Sequence, residues 1–145
     1  VNCQAEYILK NHSFKLYSFG GFNSEGVKGY SFSFISNEKV DENVARKLIV
    51  NLVEDVVANG NVCLNALGKS SKQRDQYEIA IVFFDKDTGV FYTINQSLAK
   101  VSYSDEYIRF VKNESDSSPL ETIARESYQE AYEKVFGKQL DKDSM

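Results

Sequence analysis

Tryptophan is absent from the sequence, and proline, histidine and methionine each occur once. A single histidine, His12, cannot supply the multi-histidine zinc sites of metalloenzymes. It sits in a polar Asn11-His12-Ser13 stretch that reads as a surface turn. One proline argues against disordered linkers. No apolar run reaches the roughly 18 residues a membrane-spanning helix needs. The two cysteines, Cys3 and Cys63, lie outside any Cys-x-x-Cys or Cys-His motif, which leaves a thiol centre without support. The Gly-x-Ser-x-Gly elbow, the Walker loop and the dinucleotide fingerprint are missing. Asp85-x-Asp87-x-Gly89 resembles the opening of a calcium loop. However, Gly89 occupies the third ligand position and Gln96 stands where the closing glutamate belongs, so a turn is the better reading. The sequence therefore assigns no catalytic residue, no metal ligand and no cofactor.

What is present is aromatic: nine tyrosines and ten phenylalanines in 145 residues. Both favour strands and half-buried surfaces. The length fits one domain with a sizeable core, expected over residues 1–137, with 138–145 as a flexible tail. A net charge of −4 with scattered basic residues disfavours nucleic acid, which needs a basic face.

The pattern points to an α+β two-layer sandwich, with about five mostly antiparallel strands and two helices in the order β-β-α-β-β-β-α. Residues 7–19 and 27–35 form the first two strands, and Tyr30, Phe32 and Phe34 alternate with Ser31 and Ser33. Gly20-Gly21 and residues 23–26 lie in the loop between them. Asp41 caps a helix whose apolar stripe runs from Val44 through Leu48, Ile49, Leu52 and Val53 to Val57, stopping at Asn59-Gly60. Residues 62–67 fit either a short strand or a continuation of that helix. Tyr77–Asn95 reads as a hairpin around the joint 85–89. Its first strand carries Ile79, Ile81 and Phe83 on one face and Ala80, Val82 and Phe84 on the other. Residues 101–111 are extended, with a bend at 104–106. Ser118-Pro119-Leu120-Glu121 carries the residues of a capping box with a favoured proline, and predicts a last helix from 120 to a stop at Gly137.

The two-sided apolar strand leaves one sheet face in need of cover, by a loop, the N-terminal segment or another molecule. Tyr92, Tyr103, Asp105, Tyr107 and Arg109 cluster in adjacent extended segments and are the candidate ligand-binding group. Three readings of the cysteines remain open. They are two free thiols, a Cys3–Cys63 disulfide implying an oxidising compartment, or Cys3 as a lipid attachment site.

Cys3, Lys15-Leu16-Tyr17-Ser18-Phe19, Leu48 to Gly60, Ile79 to Gly89 and Leu120 to Gly137 together resemble the small bacterial envelope lipoproteins of unknown function. Where that group carries Trp after the Thr-Gly joint, this chain has Phe91-Tyr92. The resemblance implies export and a possible lipid anchor near Cys3, and it transfers no active site. A start at Val1 fits a removed signal peptide and equally a cloning boundary. The leading expectation is a non-enzymatic binding or assembly module, exported to periplasm, envelope or medium, with a protein partner or self-association through the sheet. The alternative is a small enzyme or ligand carrier with a pocket between helices and sheet, and a cytoplasmic location remains the alternative to export.

Overall fold

A computed structural model describes residues 14–24, 27–70, 72–90, 92, 98–113 and 121–140. Strands β1 (Lys15–Ser24) and β2 (Val27–Ser36) are followed by helix α1 (Glu42–Ala66). A 3-10 turn (Arg74–Gln76) leads into β3 (Tyr77–Phe83), then β4 (Lys100–Ser104), β5 (Tyr107–Lys112), β6 (Glu121–Ser127) and helix α2 (Tyr128–Phe136). The six strands form one sheet in sequence order. Every neighbouring pair is antiparallel except β2 and β3, which run parallel because α1 carries the chain back across the sheet. The fold is α+β, as the pattern predicts, with six strands rather than five.

Helix α1 forms for local and tertiary reasons. The Asp41 side chain accepts a hydrogen bond from the Val44 amide at 2.8 Å. Val-rich segments have modest helix propensity, so burial must hold the helix. Ala45, Ile49, Leu52, Val53 and Val56 are buried on the sheet. Val50, which the expected stripe omits, is also buried, and the Tyr128 hydroxyl closes over it at 3.3 Å from its carbonyl. The helix does not stop at Gly60. Gly60 and Leu64 extend the buried stripe for two more turns, and the chain turns instead at Gly68, whose φ is 75°. There the Lys69 amide bonds the Leu64 carbonyl and the Gly68 amide bonds the Asn65 carbonyl, a Schellman ending. The ambiguous residues 62–67 are thus mostly helix. Asn61 fastens the following loop by bonding both the amide and the carbonyl of Lys72 at 2.8 Å.

Three further expectations are corrected. The first hairpin is longer than expected, because pairing continues through Gly21 opposite Tyr30 and Ser24 opposite Val27. The expected loop is thereby reduced to a tip, and residues 25–26 and 7–13 lie outside the described ones. The second run of the Tyr77–Asn95 hairpin is not a strand at Val90 or Tyr92, while 91 and 93–97 lie outside the described residues. The joint itself is a turn. Asp85 Oδ1 accepts from the Asp87 amide, and Gly89 takes φ 72°. The antiparallel partner of β3 is β4, with Ile81 opposite Val101. Finally, the stretch expected to open the last helix is β6. Thr122 pairs with Val111 of β5, and β-branched Ile123 is the extra residue of a bulge between the Thr122 and Ala124 pairs. The helix begins at Tyr128 rather than at 120, and Ser127 accepts from the Glu130 amide there in a second Ser-x-x-Glu. Ser118, Pro119 and Leu120 lie outside the described residues. Gly137 ends α2 at φ 70°, and Leu140, in the expected tail, is buried against the core.

The bend at 104–106 is a two-residue hairpin turn joining β4 to β5. Asp105 and Glu106 both take positive φ, 52° and 67°, the signature of a type I′ turn. A glutamate there is strained, since L-residues lose about 1 kcal/mol in the left-handed region. Glu106→Gly is expected to stabilise the protein by about 0.5–1 kcal/mol in urea melts, and Glu106→Val to destabilise it.

Candidate functional site

Alternation along the strands sorts the sheet into two unlike faces. Phe32, Phe34, Ile79, Ile81, Phe83, Val101, Tyr103, Ile108 and Phe110 point toward the helices and are buried. The opposite face is small and polar at its centre. One row across the strands reads Ser18, Ser33, Ala80, Ser102, Arg109, Arg125. The next carries Ser31, Glu78, Ser104 and Tyr107. Short side chains flanked by long ones leave a depression of about 210 Å³, bounded by Ser31, Ser33, Glu78, Lys100, Ser102 and Ser104. No helix among the described residues lies on this face, where Ala80 and Val82 are half-buried. The surplus apolar face expected from the sequence is therefore mostly a hydroxyl-lined one.

The candidate ligand group does not converge. Tyr107 and Arg109 lie together on the open face. Arg109 donates from Nη1 to the Ser104 hydroxyl at 2.9 Å and to its carbonyl at 3.3 Å. Tyr103, one residue out of phase, points into the core, where its ring meets Tyr128 edge-on at 4.9 Å. Tyr92 is buried beyond β3, its hydroxyl donating to the Asn37 carbonyl at 2.7 Å. Asp105 is exposed at the hairpin turn. The residue sequence reasoning missed is Arg125. It stands directly opposite Arg109, and its guanidinium lies 4.4 Å from the centre of the Tyr107 ring. It was hidden because residues 121–127 carried helix signals. The β-branched Thr122-Ile123 pair was the available sign of a strand.

A second polar cluster sits under α1. Arg74 grips Glu54 through two bonds, 2.7 Å from Nε and 2.6 Å from Nη2. The Tyr128 hydroxyl donates to the same carboxylate at 2.8 Å. The Glu54 hydrogen bond holds the Arg74 guanidinium above its ordinary pKa. Burial pushes the Tyr128 phenol up, and the adjacent Glu54 charge pushes it further. Burial also raises Tyr103, whose hydroxyl has no hydrogen-bond partner among the described residues. These groups close on one another and clamp the 3-10 turn and α2 to α1. Cys63, near the end of α1, is disulfide-bonded. Cys3, the expected partner, lies outside the described residues.

Glu126, on the helix side of β6, ties three elements together by accepting from Arg46 of α1 and, at 2.8 Å, from Lys134 of α2. Burial pushes its carboxyl up, but the bonds from Arg46 and Lys134 outweigh that and hold it below the usual range. A pKa lowered by folding gives stabilisation that is complete above the unfolded value, near 4.5, and lost as pH falls through the folded value. Glu126→Gln is expected to cost about 2 kcal/mol at pH 7, with the gap to wild type closing toward pH 3 in urea melts. For Glu54→Ala, which removes the two bonds from half-buried Arg74 and the acceptor of the Tyr128 hydroxyl, the expected cost is about 2 kcal/mol. No helix among the described residues is long and apolar enough to cross a membrane. No protein-family model, curated protein or solved structure matches this chain.

Proposed function

We propose that this protein is a non-enzymatic binding module, exported from the cell, that holds a partner molecule on the open face of its sheet. The observation that carries the reading is the asymmetry of the sheet. Helices cover one face, while the other presents a depression of about 210 Å³ lined by serines and bordered by Lys100 and Glu78, with Tyr107 and Arg109 beside it. Serine hydroxyls donate and accept, tyrosine offers an apolar ring with a polar end, and arginine offers a rigid fork of donors. Such a surface recognises a polar ligand better than it buries against a second sheet. That shifts the expectation away from self-association through an apolar face.

Export is supported by the disulfide at Cys63, since such bonds persist in oxidising compartments, and by the resemblance to small envelope lipoproteins. The competing reading, a carrier or enzyme working between helices and sheet, would centre on Tyr103, Tyr128 and Glu54. There the Tyr128 ring packs on Tyr103 at 4.9 Å, and Glu54 is engaged by Arg74 and the Tyr128 hydroxyl.

Two measurements test the proposal. A panel of immobilised sugars, peptides and phospholipids is expected to retain the wild type on at least one class. Ala80→Trp, which fills the depression, is expected to lose that retention while melting near the wild-type temperature. Retention of neither protein, or equal retention of both, would defeat the reading. Thiol titration of the denatured native-source protein is expected to find no free thiol without reductant and two with it. Two without reductant would count against export.

A further inference from the structure

The chain has four arginines, and they fall into two kinds. Arg46 and Arg74 are locked onto Glu126 and Glu54. Arg109 and Arg125 make no ion pair among the described residues, although they face each other across β5 and β6. Facing positions on neighbouring strands place Cβ atoms about 5 Å apart, where like charges repel. Lys100 stands opposite Val111, two residues along β5 from Arg109, so it is a diagonal neighbour about 7–8 Å away. Three cations thus gather on one face of a chain whose net charge is −4. Glu78 on β3 and Asp105 and Glu106 at the turn pair with none of the three among the described residues.

Each guanidinium has a contact on this face, Arg109 half-buried and Arg125 exposed. Arg109 is fixed by Ser104 on one amino group, which leaves its remaining donors to aim elsewhere. Arg125 has its guanidinium carbon over the Tyr107 ring, 4.4 Å from its centre, a cation–π contact. An anion placed between two like-charged groups relieves their repulsion. Arginine forks match the tetrahedral oxygens of phosphate. A phosphate monoester carries close to two negative charges near pH 7, which fits three cations on one sheet face better than a single carboxylate does.

We infer that Arg109, Arg125 and Lys100 form a site for a phosphate group on the open face of the sheet, with Ser102 as an added hydroxyl donor. The inference rests on the open-face reading above and names the ligand class for it. The phosphate belongs to a soluble phosphate ester or to a phospholipid headgroup, which share this chemistry.

The test uses the full chain with inorganic phosphate, glycerol phosphate, and vesicles of phosphatidylcholine alone or mixed with phosphatidic acid. At constant ionic strength, phosphate or glycerol phosphate is expected to raise the melting temperature in a saturable way, because it binds only the folded state. Arg109→Gln and Arg125→Gln are each expected to weaken that binding at least tenfold. Lys47→Gln, on the exposed side of α1, is expected to leave it unchanged. Arg125→Gln should melt no lower than wild type without ligand, which separates loss of binding from loss of fold. Binding to vesicles only when they contain phosphatidic acid, lost in the same variants, assigns the headgroup source, and a response to solutes alone assigns the soluble one. No response to any phosphate probe, equal binding to phosphatidylcholine vesicles, or a response unchanged in both arginine variants overturns the inference. If a panel ligand is lost in Ala80→Trp yet kept in both arginine variants, the open face still binds and the phosphate assignment alone falls.

Discussion

The packing of α1 against one side of the sheet is the contact on which everything else depends. Ile49, Leu52, Val53 and Val56 meet Phe34, Ile79, Ile81, Phe83 and Val101, and all of these are fully or almost fully buried. Burying one such side chain contributes about 1.5–3 kcal/mol, so this seam outweighs any single hydrogen bond or ion pair in the molecule. It also decides local structure. A valine-rich helix of 25 residues would be marginal alone in water, and the parallel β2–β3 pairing exists only because α1 carries the crossover.

The same contact defines what is left outside it. Strand alternation means that each residue committed to the helices has neighbours aimed the other way. On β2, β3 and β4 those neighbours are Ser31, Ser33, Ala80 and Ser102, too short to cover the backbone beneath them. On β5 and β6 they are Arg109 and Arg125, which make no carboxylate contact among the described residues. On the helix side, by contrast, polar groups are closed into partners: Glu54 with Arg74 and Tyr128, and Glu126 with Arg46 and Lys134. The molecule neutralises its charges where they hold elements together and leaves them unpaired where the sheet is open.

Much of this was legible in the residues alone. Period-two alternation at Tyr30–Phe34 and three-to-four spacing from Ala45 to Val56 gave the sheet, the helix and the α+β class. Gly137 gave the last stop and Asp41 the first cap. Errors arose where a local signal competed with tertiary pairing. Asn59-Gly60 carried a stop signal, but Leu64 extends the buried stripe and Gly68 supplies a complete cap. Ser118 to Glu121 carried a start signal, yet β5 needed a partner along its outer edge, and the stretch from Glu121 to Ser127 met that need. That second error hid half of the candidate site, because an arginine on a helix cannot be registered against Arg109. Tyr103 was misplaced for a simpler reason: adjacent positions in one strand look clustered in sequence but face opposite sides of the sheet. The turn at Asp105-Glu106 was seen only as a bend, since neither residue is the glycine or asparagine that usually marks positive φ.

One measurement bears most directly on the claim that, among the described residues, helices cover one face of the sheet only. Solvent paramagnetic relaxation, read residue by residue in the NMR spectrum of the full chain, reports how close each side chain lies to bulk water. The account predicts an alternating pattern along β2, β3 and β4, with strong relaxation at Ser33, Ala80 and Ser102 and little at Phe34, Ile81 and Tyr103. Uniform protection along these strands would contradict it, since that would mean a second layer covers the face assigned here to ligand binding.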